Sequence, residues 1–399
     1  MRASRKGQSG LAAAETDTLR ALPKRLFVGE LKLTDFRNYA RAALALDERP
    51  VVLVGDNGSG KTNLLEAVSL LGAGQGLRGR PYGELCRKEG GGGFAIAARV
   101  TSRLGEIEIG TGFALGIGPE AGRTVRIGGK EQSAGALADH VKLVWLIPAM
   151  DGLFTGPASE RRRFLDRLVV TIDPKMRGPL NRYERAMRQR NRLFQLREYA
   201  GALFAGLEEQ MAEAGVAIAA SRRDAIERLT QLIERTRKAR GPSPFPFAVL
   251  ALEGTLESAL SDRPATEVED EFRLALEHSR ERDRAASRAL AGPHLSDLIV
   301  IHGPQNAPAP HCSSGEQKAL LLGLILAKAE LIRELEGISP LVLLDEVAAH
   351  LDASRREALF AEILRLNAQA WMTGTDRDLF RPMAQEAQIL GVNRGKIGA

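Results

Sequence analysis

The fold is decided by Gly55-Asp56-Asn57-Gly58-Ser59-Gly60-Lys61-Thr62, a glycine-rich stretch between two apolar segments. Val51 to Val54 precede it as an apolar run typical of a buried strand, and Asn63 to Val68 follow with the apolar spacing of a helix. The spacing of its two outer glycines, Lys61 and Thr62 is that of a P-loop, whose glycines let backbone N–H groups turn inward on a polyphosphate. The stretch, together with Asn63, therefore predicts a nucleotide-binding site.

Two side chains of this stretch suit the chemistry of a nucleoside triphosphate. Lys61 would reach the β- and γ-phosphates, and Thr62 would hold Mg²⁺. A glycine loop that only turned the chain would need neither residue type at these positions. ATP and Mg²⁺ are therefore the expected ligands.

The composition narrows the class of protein. The chain has 399 residues, of which 44% are hydrophobic and 27% charged, as in a globular protein of two or three domains. The net charge of +6 weakly favours an anionic partner. Cys86 and Cys312 are too few for a disulfide framework, and no apolar run approaches the roughly 18 residues of a membrane span. We expect a cytoplasmic protein that does not engage a membrane.

Local residue composition and the spacing of apolar residues predict four segments. Residues 1–24 read as a flexible tail, and residues 25–150 alternate strand and helix patterns around the P-loop. Across residues 151–290 apolar residues recur at helical spacing, which predicts a helical insert. Residues 291–399 return to strands and helices. The prediction is an α/β fold with a mixed sheet and an inserted, mainly helical domain.

Local patterns predict individual elements. A strand pair is expected at Leu26–Val28 and Leu31–Leu33, closed by Phe36–Tyr39, and an antiparallel sheet at 92–128. Two basic helices are expected to break at Asp173-Pro174. The other predicted elements are a strand at Val141–Ile147, a charged helix at Glu267–Ala291, a buried helix at Lys318–Leu335, a strand at Leu341–Leu344, a helix at Ala358–Leu366 and a last core strand at Ala370–Thr373.

The apolar strand at Leu341–Leu344 ends in two acids, Asp345 and Glu346. At the carboxyl end of a buried strand, Asp345 could hold Mg²⁺ and Glu346 could orient and deprotonate an attacking water. Many strands end in an acidic residue, so the interpretation of this pair as part of a nucleotide site depends also on the residues around it. Upstream, Ser314 and Gly315 lie at the start of the buried helix, where hydroxyl, N–H groups and helix dipole favour an anion; a simple helix cap is the alternative.

Taken together, these motifs resemble the ATP-binding-cassette heads of the SMC-like ATPase family. The resemblance identifies Gly55–Thr62 as Walker A, Leu341–Glu346 as Walker B and Ser313–Gln317 as the signature motif, with Asp352 in the D-loop. It implies two heads that close on two ATP molecules, Ser314 of one head touching the γ-phosphate held by Lys61 of the other. Hydrolysis at Glu346 would reopen the pair.

From about Leu26 onward the chain resembles the RecF family in particular. The segments that carry this resemblance are Leu33–Tyr39, Gly156–Asp166, Tyr183–Met187, Asn191–Leu193 and Ala291–His294. The resemblance implies an ATP-dependent homodimer that binds double-stranded DNA at gap junctions, acts with RecO and RecR to place RecA, and hydrolyses ATP weakly. It also implies that Arg37 lies near the nucleotide, with a surface role as the alternative.

The sequence departs from the family pattern at three places. Leu295 follows Gly-Pro-His where the family usually has arginine. No glutamine ends the strand that stops at Pro148, so Gln75 is the candidate for the Mg²⁺-linked glutamine of cassette heads. Thr373-Gly374-Thr375 lacks the switch histidine of many transporter heads.

The helical insert carries a basic region that we interpret as a DNA site. Between Ser159 and Ala200 there are twelve Arg or Lys and five acids. Guanidinium groups at helical spacing suit a phosphate backbone, and the scarcity of aromatics favours duplex over single-stranded DNA. A salt-bridged, solvated helix face is the alternative, and some arginines of the first helix could brace the insert. The candidates are Arg161, Arg162, Arg182, Arg185, Arg188 and Arg192.

Other protein classes with a P-loop make different predictions. A transporter ATPase subunit would have a much shorter path from Lys61 to Asp345, and a structural SMC-type clamp would need long heptad arms. A metabolic P-loop kinase would not need Ser314 and Gly315.

Overall fold

The computed structural model describes residues 25–114, 122–196, 201–241 and 243–398, so the predicted tail at 1–24 lies outside the described residues. The strands are β1 Phe27–Phe36, β2 Tyr39–Ala45, β3 Val51–Val54, β4 Gly93–Ser102, β5 Gly105–Ala114, β6 Thr124–Ile127, β7 Lys130–Gln132, β8 Leu143–Leu146, β9 Ala248–Glu253, β10 Asp297–His302, β11 Ala307–Pro308, β12 Leu341–Leu344, β13 Ala370–Gly374, β14 Gln388–Asn393 and β15 Lys396–Gly398. The helices are α1 Lys61–Ser69, α2 Ala158–Ile172, α3 Arg177–Leu196, α4 Gly201–Arg240, α5 Thr255–Ala259, α6 Ala265–His278, α7 Arg280–Ala286, α8 Ser314–Glu336 and α9 Ala353–Leu366.

One sheet has six strands, mostly parallel, in the order β15-β14-β3-β13-β12-β8. All neighbours in it pair in parallel except β15, which pairs antiparallel with β14. Every residue of β12 is buried, as expected for a parallel strand covered on both faces. The predicted mixed sheet is thus confirmed, and the carboxyl ends of β3, β12 and β13 meet at one edge.

A second sheet is antiparallel, in the order β2-β1-β4-β5-β6-β7. The buried Gln369 joins it to the parallel sheet, since its side chain accepts a hydrogen bond from Val28 N–H at 2.9 Å and donates to the Val28 carbonyl at 3.1 Å. The same amide donates to the carbonyl of Asp47 at 2.8 Å and accepts from the indole N–H of Trp371 at 3.1 Å, so its buried polar atoms are satisfied where the two sheets meet.

The helical elements α2 to α7 are held by two buried arginines. Arg190 on α3 pairs with Glu208 at 3.0 Å and Asp283 at 2.6 Å, and all three side chains are almost fully buried. Arg222 on α4 pairs with Asp166 at 2.8 Å and reaches the carbonyl of Pro293 at 2.6 Å. Because a buried charge without a partner is very costly, these pairs make the order of the helices specific.

Three predicted elements were wrong in detail. Leu26–Val28 and Leu31–Leu33 are not a strand pair, because all but Leu26 lie in β1, whose register shifts between Val28 and Glu30, as at a bulge; the hairpin partner is β2. The charged helix at Glu267–Ala291 is divided at Ser279, whose hydroxyl donates to Asp283 at 2.8 Å.

The third correction concerns the edge of the parallel sheet. Ala370–Thr373 is not the last core strand, since β14 follows it in the chain and pairs with β3 on the other side from β13. The segment predicted as a helical insert also carries β9, which pairs antiparallel with β10.

Among the described residues, no helix combines the length and apolar character that crossing a membrane requires.

Candidate functional site

The P-loop leaves the buried strand β3 and enters α1 at the edge where the parallel strands end. Its first residue is tightly packed: a Cβ on Gly55 would lie 2.1 Å from the carbonyl oxygen of Val392 on β14, so glycine is required there. Gly60 has φ 118° and caps α1, and a Cβ there would lie 2.6 Å from side-chain atoms of Asn38 and Tyr39. Steric crowding therefore explains why both outer positions of the motif, Gly55 and Gly60, are glycine.

Lys61 is folded into the loop. Its ammonium donates to the carbonyls of Gly55 at 2.7 Å and Asp56 at 2.8 Å, and the residue is only 4% exposed. Burial lowers the pKa of Lys61, while the nearby carboxylates of Glu346 and Asp345 oppose that shift. The lysine charge is thus held within the curl of the loop, where a polyphosphate is expected to bind.

The loop also offers polar groups that the protein itself does not use. The hydroxyl of Ser59 is buried and has no hydrogen-bond partner among the described residues. Beside it, Gly58 has φ 78° and no heavy atom within 4 Å of its Cβ position. An unpaired buried hydroxyl next to open space and a buried ammonium fits an anionic ligand, and the residues of the loop therefore suit a polyphosphate.

Walker A and Walker B meet in a direct contact. The hydroxyl of Thr62 lies 2.9 Å and 3.0 Å from the two carboxylate oxygens of Asp345, which is 283 positions away in the chain. Thr373 at the end of β13 donates to the same carboxylate at 2.8 Å. A hydroxyl and a carboxylate in contact suit Mg²⁺, which binds few protein ligands and takes the rest of its shell from water and phosphate. Among the described residues, no group of three or more His, Cys, Asp or Glu is placed to hold a metal.

Glu346 follows Asp345 in an unusual backbone conformation. Its φ is 57°, which is rare outside glycine, and its N–H donates to the hydroxyl of Thr373 at 2.8 Å. Glu346 lines a cavity of about 1200 Å³ together with Thr62, Asp345 and Gln75. Gln75, the candidate for the Mg²⁺-linked glutamine of cassette heads, therefore lines the same cavity as Glu346, the candidate catalytic acid.

Sequence reasoning did not assign a role to the residues that support the loop from behind. Asn38 donates to the carbonyl of Ser59 at 3.1 Å and accepts from Asn63 at 2.8 Å, and the hydroxyl of Tyr39 donates to the carbonyl of Gly60 at 3.1 Å. The available signal was the Leu33–Tyr39 segment that resembles the RecF family. Its last two residues position the P-loop.

Arg37 was expected near the nucleotide. Its guanidinium forms a two-pronged ion pair with Glu66 on α1, at 2.8 Å and 3.0 Å, and donates to the carbonyl of Glu84 at 3.0 Å. The fork is therefore occupied by a carboxylate. The structure places Arg37 beside α1, and a phosphate contact for it remains a prediction.

The signature segment forms the start of α8. Ser313 caps the helix, with Glu316 completing a capping box. Ser314 and Gly315 are the first helical residues and are exposed, and a Cβ on Gly315 would meet nothing within 4 Å. Asp352 caps α9 by accepting from Arg355 N–H at 2.9 Å. Within the described residues, no hydrogen bond joins Ser314 or Gly315 to the P-loop of the same chain.

The arginines of the basic region separate into two groups. Arg161 pairs with Asp297 at 2.8 Å and 2.7 Å, and Arg162 donates to the carbonyl of Ser296 at 2.7 Å, so both brace α2 against β10. The four candidate arginines of α3, Arg182, Arg185, Arg188 and Arg192, are exposed, whereas Arg190 on the same helix is buried. Two of these have acidic neighbours, with Arg182 3.2 Å from Glu213 and Arg188 3.5 Å from Glu184, while Arg185 and Arg192 have no ion pair among the described residues.

Comparison with known proteins gives one consistent family. Residues 27–397 match the family model described as "RecF/RecN/SMC N terminal domain". The chain is 51% identical over 378 residues to "DNA replication and repair protein RecF" of Mesorhizobium japonicum, covering 94% of this chain and 99% of that protein. It is 50% identical over 382 residues to the protein of the same name from Brucella suis, covering 96% and 98%.

Solved structures agree on the fold. A structure of "the recombination mediator protein RecF-ATPrS in RecFOR pathway" has a TM-score of 0.80 at 22% identity and covers 94% of this chain and 98% of its own. An SMC head bound to the C-terminal winged-helix domain of ScpA has a TM-score of 0.51 at 17% identity, covering 93% and 96%. The predicted ATP-binding-cassette head fold is confirmed.

Proposed function

The chain belongs to the RecF family of DNA replication and repair proteins, and from this premise we propose that it is an ATP-dependent DNA-binding protein of recombinational repair. It binds duplex DNA next to single-strand gaps in the cytoplasm and, with RecO and RecR, helps to place RecA. The family membership supports the general role. The finer steps rest on the chain's own residues.

The observation that carries the proposal is the contact between Thr62 and Asp345, 2.9 Å apart, beside the buried Lys61. Lys61 would bind the β- and γ-phosphates of ATP, and Thr62 and Asp345 would hold Mg²⁺. When bound, Mg²⁺ would neutralise phosphate charge. Glu346 would orient and deprotonate the attacking water at the mouth of the cavity. Hydrolysis is slow and serves as a timer.

The second half of the proposal is an ATP-dependent homodimer. Ser314 and Gly315 present a hydroxyl and free N–H groups at the positive end of α8. These groups are exposed, and in the part of the chain that the structure describes they form no hydrogen bond with the P-loop. In a closed dimer they would contact the γ-phosphate held by Lys61 of the second chain, and Asp352 would lie in the D-loop between the two heads.

The test is the mass of a Glu346→Gln variant in solution, with and without ATP and Mg²⁺. This variant binds ATP but hydrolyses it very slowly, so any ATP-linked dimer accumulates. We expect a monomer without ATP and a dimer with it. Adding Ser314→Arg, which places a long cation at the shared site, abolishes the dimer but leaves ATP binding to each chain intact.

The matched control is Ser258→Arg in the Glu346→Gln background. Ser258 is an exposed helical serine on α5, so the variant adds the same charge away from the start of α8. It is expected to dimerise as well as Glu346→Gln alone. A chain that stays monomeric with saturating ATP, or a dimer that tolerates Ser314→Arg, contradicts the shared site.

A further inference from the structure

The cavity next to the P-loop extends well beyond the nucleotide residues. Its volume is about 1200 Å³, and one end is lined by Thr62, Asp345 and Glu346. The other end lies between α2, α8 and β8, where Trp145, Arg167 and Lys328 line it. The proposed function gives this far end no role.

The far end contains two cations that form no ion pair among the described residues, although Glu160 and Asp166 are near enough to act on Arg167 electrostatically. Lys328 on α8 is 5% exposed, and its closest described partner is the face of Phe164, 5.8 Å from the ammonium. Arg167 on α2 lies over the ring of Trp145 at 5.6 Å. Among the described residues, neither side chain forms an ion pair or donates a hydrogen bond. Cation–π contacts recover only part of the cost of burying a charge.

Three of the four carboxylates that line the cavity are already engaged, and the fourth, Glu346, belongs to its nucleotide end. Glu160 pairs with the exposed Arg163, and Asp166 pairs with the buried Arg222 at 2.8 Å. Asp345 receives the hydroxyls of Thr62 and Thr373. A third cation, Arg177 at the start of α3, also lines the cavity without an ion pair among the described residues. The surplus charge at this end is positive.

We propose that Lys328 and Arg167, with Arg177 at the rim, form a second anion site that binds a phosphate-type oxyanion. Guanidinium and ammonium donors around an accessible, partly apolar cavity match the charge and acceptor oxygens of orthophosphate. Burial and the neighbouring Arg167 lower the pKa of Lys328 to about 7, and a bound anion would restore its proton. Since α2 and α8 each contribute one cation, the anion joins the two helices.

The test separates this site from the P-loop by filling the P-loop first. The full chain is saturated with ADP and Mg²⁺, and orthophosphate is titrated by calorimetry at constant ionic strength set with chloride. We expect one phosphate per chain. Lys328→Met should weaken phosphate binding by roughly tenfold or more, because one charge-assisted contact is lost, whereas Lys328→Arg keeps it.

Arg163→Gln is the matched control, because Arg163 lines the same cavity but is exposed and paired with Glu160. It should change phosphate affinity by less than about twofold. Thermal unfolding without phosphate checks the fold, and Lys328→Met is expected to be at least as stable as the wild type. The proposal is overturned if the ADP-saturated wild type binds no phosphate, if Lys328→Met binds as tightly, or if chloride competes equally.

A second arm identifies the source of the anion and rests on the proposed function. Phosphate release during a single ATP turnover is followed with a phosphate sensor in the wild type and in Lys328→Met. If the site holds product phosphate, release lags behind hydrolysis only in the wild type. If titration shows the site but release never lags, the anion comes from the solvent. The titration alone decides whether the site exists, whatever the outcome for the dimer.

Discussion

Among the described side chains, those that hydrogen-bond to the carboxylate of Asp345 are hydroxyls and not cations. Thr62 and Thr373 approach its carboxylate from α1 and β13, and the same Thr373 oxygen accepts the N–H of Glu346. One threonine therefore fixes both acids of the Walker B motif. A carboxylate held by neutral donors stays available to a metal ion, whereas an arginine partner would compete with that ion.

Thr373 is predicted to be a positioning residue for hydrolysis. Thr373→Val removes the bond to Asp345 and leaves the N–H of Glu346 without its partner, so kcat for ATP should fall by roughly tenfold or more while KM changes little. Thr373→Ser retains the hydroxyl and should restore most of kcat. Steady-state kinetics of the three proteins check this. An unchanged kcat in Thr373→Val would show that Glu346 is positioned by other contacts.

The buried Lys328 is predicted to give a distinctive pH dependence of stability. Its pKa is lowered to about 7 by burial and by Arg167, whereas an unfolded lysine keeps its proton up to about pH 10. Between these values the unfolded state binds more protons, so the free energy of unfolding rises with pH. The stability advantage of Lys328→Met over the wild type should be largest at pH 7 and below, and shrink towards pH 9.5.

Urea unfolding at pH 6.5, 8 and 9.5 in phosphate-free buffer measures that advantage. Arg163→Gln serves again as the control, and its difference from the wild type should not follow this trend. An advantage of Lys328→Met that stays constant across the range would show that Lys328 keeps its proton in the folded chain.

At the scale of elements, sequence patterns located those with strong local signals. The P-loop, β12 and the break between α2 and α3 at Asp173-Pro174 were all predicted, because glycine spacing, a fully apolar run and a proline each act locally. The strand β14 was missed. Its sequence, Gln388 to Asn393, has no strong alternation, and its place beside β3 is set by pairing that only the folded sheet shows.

The basic helices show where sequence reasoning stops. Arg161 and Arg185 both follow helical spacing and look alike in the sequence. The first is engaged by Asp297, 136 positions away, while the second remains exposed. Only the packing of α2 against β10 separates an arginine that braces the fold from one that can meet DNA.

DNA binding is therefore predicted to depend on α3. Arg185→Ala with Arg192→Ala removes two exposed guanidinium groups that have no ion pair among the described residues. Affinity for a duplex next to a gap should fall, and the slope of log affinity against log salt should become shallower by about two, because each phosphate contact contributes roughly one. Fluorescence anisotropy over a range of salt concentrations, in ATP, measures both quantities.

The control changes the net charge equally at another surface. Arg49 and Arg99 are exposed and paired with Asp47 and Glu30. Replacing both by alanine should leave the salt slope unchanged within error. If the control and the α3 variant lose affinity equally, the effect is one of net charge, and α3 is not the DNA surface.

At the level of the whole molecule, the proposed ATP site would need parts that a single chain does not bring together. Ser314 and Gly315 are exposed at the start of α8, and within the described residues they share no hydrogen bond with the P-loop. The sequence contains both the P-loop and the signature segment. Local spacing cannot show whether the signature segment of one chain acts at the P-loop of another. The resemblance to SMC-like heads suggested it, and it remains a proposal.

A site shared between two chains predicts that ATP turnover depends on protein concentration. Below the dissociation constant of the dimer, the rate per chain should fall in proportion to concentration, since fewer chains find a partner. ATP should still bind to the P-loop of a dissociated chain, because Lys61, Ser59 and Thr62 all belong to one chain. Its apparent affinity should fall on dilution, because a dimer that ATP promotes must bind ATP more tightly than the monomer does. The measurement is ATP hydrolysis per chain from micromolar to nanomolar protein, with nucleotide affinity measured over the same range.

Ser314→Arg should show the low rate of the dilute wild type at every concentration. A rate per chain that stays constant down to nanomolar protein would mean that one head hydrolyses ATP alone, and the exposed start of α8 would then need another partner.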